Sequence, residues 1–88
     1  MAEQESVKLG NLVAEWRRAS GLSQASLADA LGTQQATISK LESGAYRLTV
    51  LQLLAILNAC GLSLSDVSEA IQETLVLEGR PLWERIDE

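Results

Sequence analysis

The chain has 88 residues, 47% of them apolar but only three aromatic, a formal net charge of −5, one cysteine and no histidine. A chain this short is one domain with a thin core built from Leu, Ala, Val and Ile, a composition that favours packed helices over a strand sandwich. Cys60 alone excludes an internal disulfide, and without histidine the usual zinc ligand sets are excluded too, so no cofactor is expected.

Glycines at 21, 32, 44, 61 and 79 each follow a helix-like segment, as residues just past a helix end often do. The first helix is predicted over residues 7–20, after a flexible 1–6. Its Leu9, Leu12, Val13 and Trp16 follow the i, i+3, i+4, i+7 spacing of one buried stripe. Gly10 costs that helix about 1 kcal/mol against alanine, so it suggests a close helix contact. The second helix is predicted over 24–31, capped by Ser23, with Leu27, Ala28 and Leu31 inward. The third is predicted over 34–43, capped by Thr33, with Gln34, Ile38 and Leu41 inward. The fourth covers 50–60 and opens on a T-x-x-Q capping box, Thr49 with Gln52. The fifth covers 66–77, capped by Ser65, and residues 78–88 form a tail with Pro81, Leu82, Trp83 and Ile86. The expected organisation is a domain over 7–77 followed by that tail.

The connection between the second and third helices is very short and contains Gly32, which forces the two to cross steeply. Ala28 is small enough to let them approach, while Ile38 and Leu41 plug the third helix into the core. Its other side presents Ala36, Ser39, Lys40 and Ser43, flanked by Gln35 and Thr37. That short polar face suits a major groove about 12 Å wide, where a glutamine amide can meet an adenine edge and small methyl groups can meet a thymine methyl. Lys40 can reach a guanine edge or a phosphate. Gln24 opens the second helix, where free N–H groups suit a phosphate, and Arg47 is a second phosphate candidate in the loop after the third helix.

The charge distribution permits such a role. Residues 1–47 hold five basic and five acidic side chains, whereas residues 48–88 hold two basic and seven acidic ones, so the net acidity lies entirely in the C-terminal half. The chain lacks histidine, a carboxylate pair set for acid–base work, and a reactive cysteine context, so an enzyme is not expected. Residues 1–6 are polar and acidic, which gives no secretory signal, and the most apolar stretch is too short to span a bilayer. A cytoplasmic setting is the expectation.

Small apolar spacing alone would fit any helical bundle, but here polar positions match a pattern as well. The run from Leu22 to Gly44, through Gln24, Leu27, Ala28, Gly32, Gln35, Ile38, Leu41 and Glu42, resembles the Cro/C1-type (XRE family) helix-turn-helix of lambdoid phage repressors. The resemblance covers roughly residues 9–64 and implies an all-α, five-helix, lambda-repressor-like domain. It implies base reading by Gln35, Ala36, Thr37 and Lys40, and a backbone contact by Gln24, which also braces the reading glutamine; Ser39, Ser43 and Arg47 are the further candidates for backbone contact. It further implies a structural pair between Arg17 and Glu42. Relatives bind as dimers on half-sites about 34–36 Å apart, so a dimeric repressor on a palindromic double-stranded operator is expected. The sequence departs from the pattern in lacking a proline after Gly44 and in carrying one basic residue, Arg47, in that loop.

Val67, Ile71, Leu75 and Trp83 are candidates for a dimer or partner contact, although Val67 and Ile71 serve equally well to complete the single chain's core. A looser resemblance to Hip-type antitoxins, on residues 35–39 and 48–57, implies the alternative of a protein-interaction module. Its tail would hold a toxin partner, although those proteins place a strand where this sequence reads as the fifth helix.

Overall fold

Glu3, Gln4 and Glu5 are good helix formers, nothing between residues 2 and 7 breaks a helix, and the acidic pair suits the positive end of a helix dipole. In the computed structural model, which describes residues 2–75, helix α1 accordingly runs Ala2–Ala19 and starts five residues before the expected position. Leu12, Val13 and Trp16 of its predicted stripe are buried, and Leu9 packs partly against them. Arg17 and Arg18 lie in the last turn, at the negative end of the dipole.

Helix α2 spans Gln24–Leu31, and the Ser23 hydroxyl accepts the Ser26 N–H at 3.0 Å as its cap. Gly32 then takes φ 71°, ψ 32°, a left-handed conformation that a Cβ would strain. The Thr33 N–H reaches the Ala28 carbonyl at 2.9 Å and the Gly32 N–H reaches Asp29 at 3.2 Å, closing a Schellman turn. This turn aims α3, Gln35–Ser43, across α2.

The cap of α3 is Gln34 rather than Thr33. Gln34 is extended at φ −100°, ψ 152°, so it precedes the helix, is exposed, and does not belong to the inward face. That face consists of Ile38, Leu41 and Glu42. Helix α4, Val50–Ala59, opens on the expected capping box: Thr49 N–H to Gln52 Oε1 at 2.9 Å, and Gln52 N–H to Thr49 Oγ1 at 3.1 Å. The Gln52 Nε2 also donates to the Tyr46 hydroxyl at 3.1 Å, which ties the preceding loop to the helix.

Helix α5 is Leu64–Thr74, capped by Ser63 and not by Ser65. Asp66 decides between the two serines, because its carboxylate accepts the Ser63 N–H at 2.8 Å while the Ser63 hydroxyl accepts the Asp66 N–H, a box that only this register closes.

The centre of the core is Val13, Leu27, Ile38, Ile56 and Leu57, drawn from four helices. Helix α1 packs on α3 and α5, and α2 packs on α3 and α4. Val67 is 4% exposed within the single chain, so it completes this core rather than offering itself to a partner. Ile71 and Leu75 are half-buried, and Trp83 lies outside the described residues. Among the described residues, no helix is long and apolar enough to cross a membrane.

Candidate nucleic-acid interface

Helix α3 is held by its inner face and open on its outer one. Gln35, Ala36, Ser39, Lys40 and Ser43 are all exposed, as is Arg47 in the loop beyond. The Ser43 hydroxyl donates back to the Lys40 carbonyl at 2.9 Å. Thr37 departs from this set. It is half-buried and lines a hollow between α3 and α4, so it lies at the edge of the outer face. No side chain caps the α3 N-terminus, which leaves first-turn N–H groups beside Gln35 open to an anion.

Beneath this face lies a buried ion pair. Arg17 and Glu42 are each 8% exposed. Arg17 Nε donates to Glu42 Oε2 at 2.6 Å and Nη2 to Oε1 at 3.2 Å, the two-pronged geometry of an arginine–carboxylate fork. The remaining prong, Nη1, donates to the Leu22 carbonyl at 2.9 Å, so Arg17 also fastens the α1–α2 connection.

Glu42 has a second donor. Gln24 Nε2 reaches Glu42 Oε1 at 2.9 Å, and Gln24 Oε1 in turn accepts from Gln35 Nε2 at 3.4 Å. A continuous chain, Arg17–Glu42–Gln24–Gln35, thus runs from the buried pair to the outer face. It leaves the Gln35 Oε1 acceptor and second amide N–H for other partners. The Gln24–Glu42 link was not anticipated from the sequence. A carboxylate offers about four acceptor directions, more than one guanidinium can fill, and that surplus was the available signal.

Burial alone would raise the Glu42 pKa, but the hydrogen bonds from Arg17 and Gln24, and the arginine charge, outweigh it and hold the carboxyl below its ordinary value of 4.5. The same hydrogen bonds, donated by Arg17 to the Glu42 carboxylate, hold the Arg17 guanidinium above its usual value, against the effect of burial. The backbone and side-chain hydrogen bonds of Ser63 lower Asp66 in the same way.

A carboxylate whose pKa is lowered in the folded state contributes stability that is fully present above its unfolded value and is lost as pH falls through the folded one. Thermal melts should therefore show a midpoint that is flat down to about pH 5 and falls steadily below about pH 4.5. A midpoint that rises on acidification would contradict this account of Glu42.

A helix-turn-helix family model matches residues 13–67, well over half of the chain, taking in α2, α3 and α4 whole with the end of α1 and the start of α5. The chain belongs to this family, in its Cro/C1-type form. It is a DNA-binding protein of transcription regulation. Among solved structures it is similar to the clp gene regulator ClgR from C. glutamicum, at 24% identity and a TM-score of 0.72, over 82% of this chain and 92% of that one. That likeness speaks for the fold. No curated protein matches the chain.

Proposed function

We propose that this helix-turn-helix protein reads a specific double-stranded DNA sequence with the outer face of α3, and that it acts as a dimeric repressor on a palindromic operator. The observation that carries the proposal is the chain of hydrogen bonds ending at Gln35. An exposed glutamine has no reason to be held, yet this one is braced through Gln24 and Glu42 to a buried arginine. A reading amide gains from being fixed, because less conformational freedom is lost when it meets a base.

Gln35, Ala36 and Lys40 contact base edges in this proposal, with Thr37 at the margin. Ser39, Ser43, Arg47 and the end of α2 at Gln24 meet the phosphates. One α3 spans only a few base pairs, which is the physical reason for a second copy.

Binding of fluorescent duplexes from the DNA upstream of its own coding sequence, followed by anisotropy across a salt series, tests this. The wild type should bind with sequence preference and weaken with salt. Gln35→Ala should lose about tenfold to a hundredfold of that preference per half-site with an unchanged salt slope. Arg47→Ala should weaken all sequences alike and reduce the slope by about one per chain. If the wild type does not bind at low salt, to this DNA or to a random library, the proposal fails.

A further inference from the structure

Helix α4 has an outer face that the fold leaves uncovered. Val50 is 70% exposed, Leu51 79% and Leu54 40%, three of the five large apolar side chains exposed among the described residues. At 100° per residue, positions 50, 51, 54 and 55 fall on one side of the helix, opposite the buried Ile56, Leu57 and Cys60. Contiguous exposed apolar surface of this kind marks an interaction site more often than scattered single residues do.

The face has two further properties. First, none of the ten residues of α4 is ionisable, in a chain whose net charge is −5 and whose acidity lies beyond residue 47. Two such chains carry the same net charge, and a face without ionisable groups is where they can meet with least of that repulsion. Second, the face adjoins, at Ala55, a mostly apolar hollow of about 160 Å3 lined by residues such as Leu31, Ile38 and Ile56 together with the polar Thr33, Thr37 and Gln52. An apolar cavity of about 150 Å3 accepts a benzene-sized group, so this one has room for a leucine side chain. The hollow meets this face at its Ala55 edge, on the side of α4 turned towards α3, so in a two-fold contact each copy can seat an apolar side chain at the edge of the other's face.

The alternative dimer stripe on α5 has less to offer, since Val67 is in the core and Ala70 and Ile71 pack against it. We infer that the outer face of α4, centred on Leu51, is the surface on which a second copy of this chain docks. The inference rests on the dimeric reading of DNA proposed above and names its surface.

Sedimentation equilibrium of the full chain tests it, comparing wild type, Leu51→Glu and Leu64→Glu, the last an exposed leucine at the start of α5. Leu51→Glu should raise the dimer dissociation constant about tenfold or more, and Leu64→Glu should leave it unchanged. Because Leu51 is exposed, the melting of dilute Leu51→Glu should remain cooperative. This variant should still prefer a correct single half-site while losing tight binding to the paired site.

A dimer that survives Leu51→Glu, or a wild type that is monomeric at about 100 μM, overturns the inference. If a monomeric wild type dimerises after truncation beyond Leu75, the face belongs to residues 76–88 instead, which overturns it equally. The two claims fail separately. Wild type that reads DNA but does not pair through α4 sinks only the surface, and a dimer lost in Leu51→Glu without any DNA binding sinks only the DNA reading.

Discussion

Glu42→Ala should lower the stability of the fold by about 3–5 kcal/mol, because it leaves the Arg17 guanidinium buried with no counter-charge. Domains of this size have about 5–15 kcal/mol in total, so one substitution removes a large share. The melting midpoint should drop by about 12 °C or more. The loss reflects a stranded charge more than the worth of the pair. Hence the double replacement Arg17→Met with Glu42→Leu should recover much of it, since buried pairs exchanged for apolar residues of similar volume are often neutral. Circular dichroism melts of the two single variants and the double give the coupling directly. A loss below about 1 kcal/mol for Glu42→Ala would mean that water reaches the pair and screens it.

Gly10→Ala is the second large effect, and local propensity gives it the wrong sign. Within an isolated helix, alanine is favoured over glycine by about 1 kcal/mol. At this position an added Cβ would sit 2.6 Å from the carbonyl oxygens of both Leu41 and Glu42, and 2.9 Å from the Glu42 carbonyl carbon. These are backbone atoms, which cannot rotate aside. Helices α1 and α3 would have to part, loosening the core that holds Val13 and Ile38 and stretching the Arg17–Glu42 fork. A net loss of about 1–3 kcal/mol is expected after the propensity gain is counted. Asn11→Ala, exposed in the same helix, should be neutral or slightly stabilising. Gly32→Ala, where a Cβ meets nothing within 4 Å, should cost only about 1–2 kcal/mol for its φ of 71°. Urea titrations that place Gly10→Ala among the neutral variants would show that the crossing tolerates a methyl group.

Much of this was legible in the residues. The five helices, the stripe of α1, the Ser23 and Thr49 caps and the corner at Gly32 follow from spacing and local chemistry alone, and Gly10 pointed to a tight contact. Where sequence reasoning missed, two local solutions competed. Ser63 and Ser65 can each cap a helix, and only the reciprocal bond to Asp66 separates them. Thr33 is the better capping residue by type, yet the Schellman turn uses Thr33 to close α2, so the cap of α3 falls to Gln34. The exposed side of α4 was hidden because almost every residue of that helix is apolar, so periodicity had no contrast to report. The Gln24–Glu42 bond joins residues 18 apart, and no local pattern encodes it.

The chain from Arg17 to Gln35 also divides the outer face of α3 into two kinds of position with different prospects for change. Ala36, Ser39 and Lys40 have no side-chain bond to the rest of the fold, so a lineage can alter them one at a time without cost to folding, and under the proposed reading changes at Ala36 and Lys40 sample new target sequences. Gln35 and Gln24 do not have that freedom. A new residue at either one disturbs its neighbour in the chain and, through it, the acceptor that neutralises Arg17. Divergence among descendants of this protein should therefore accumulate at 36, 39 and 40 first. A shift at 35 should arrive together with a shift at 24, as a paired change and not as two independent ones.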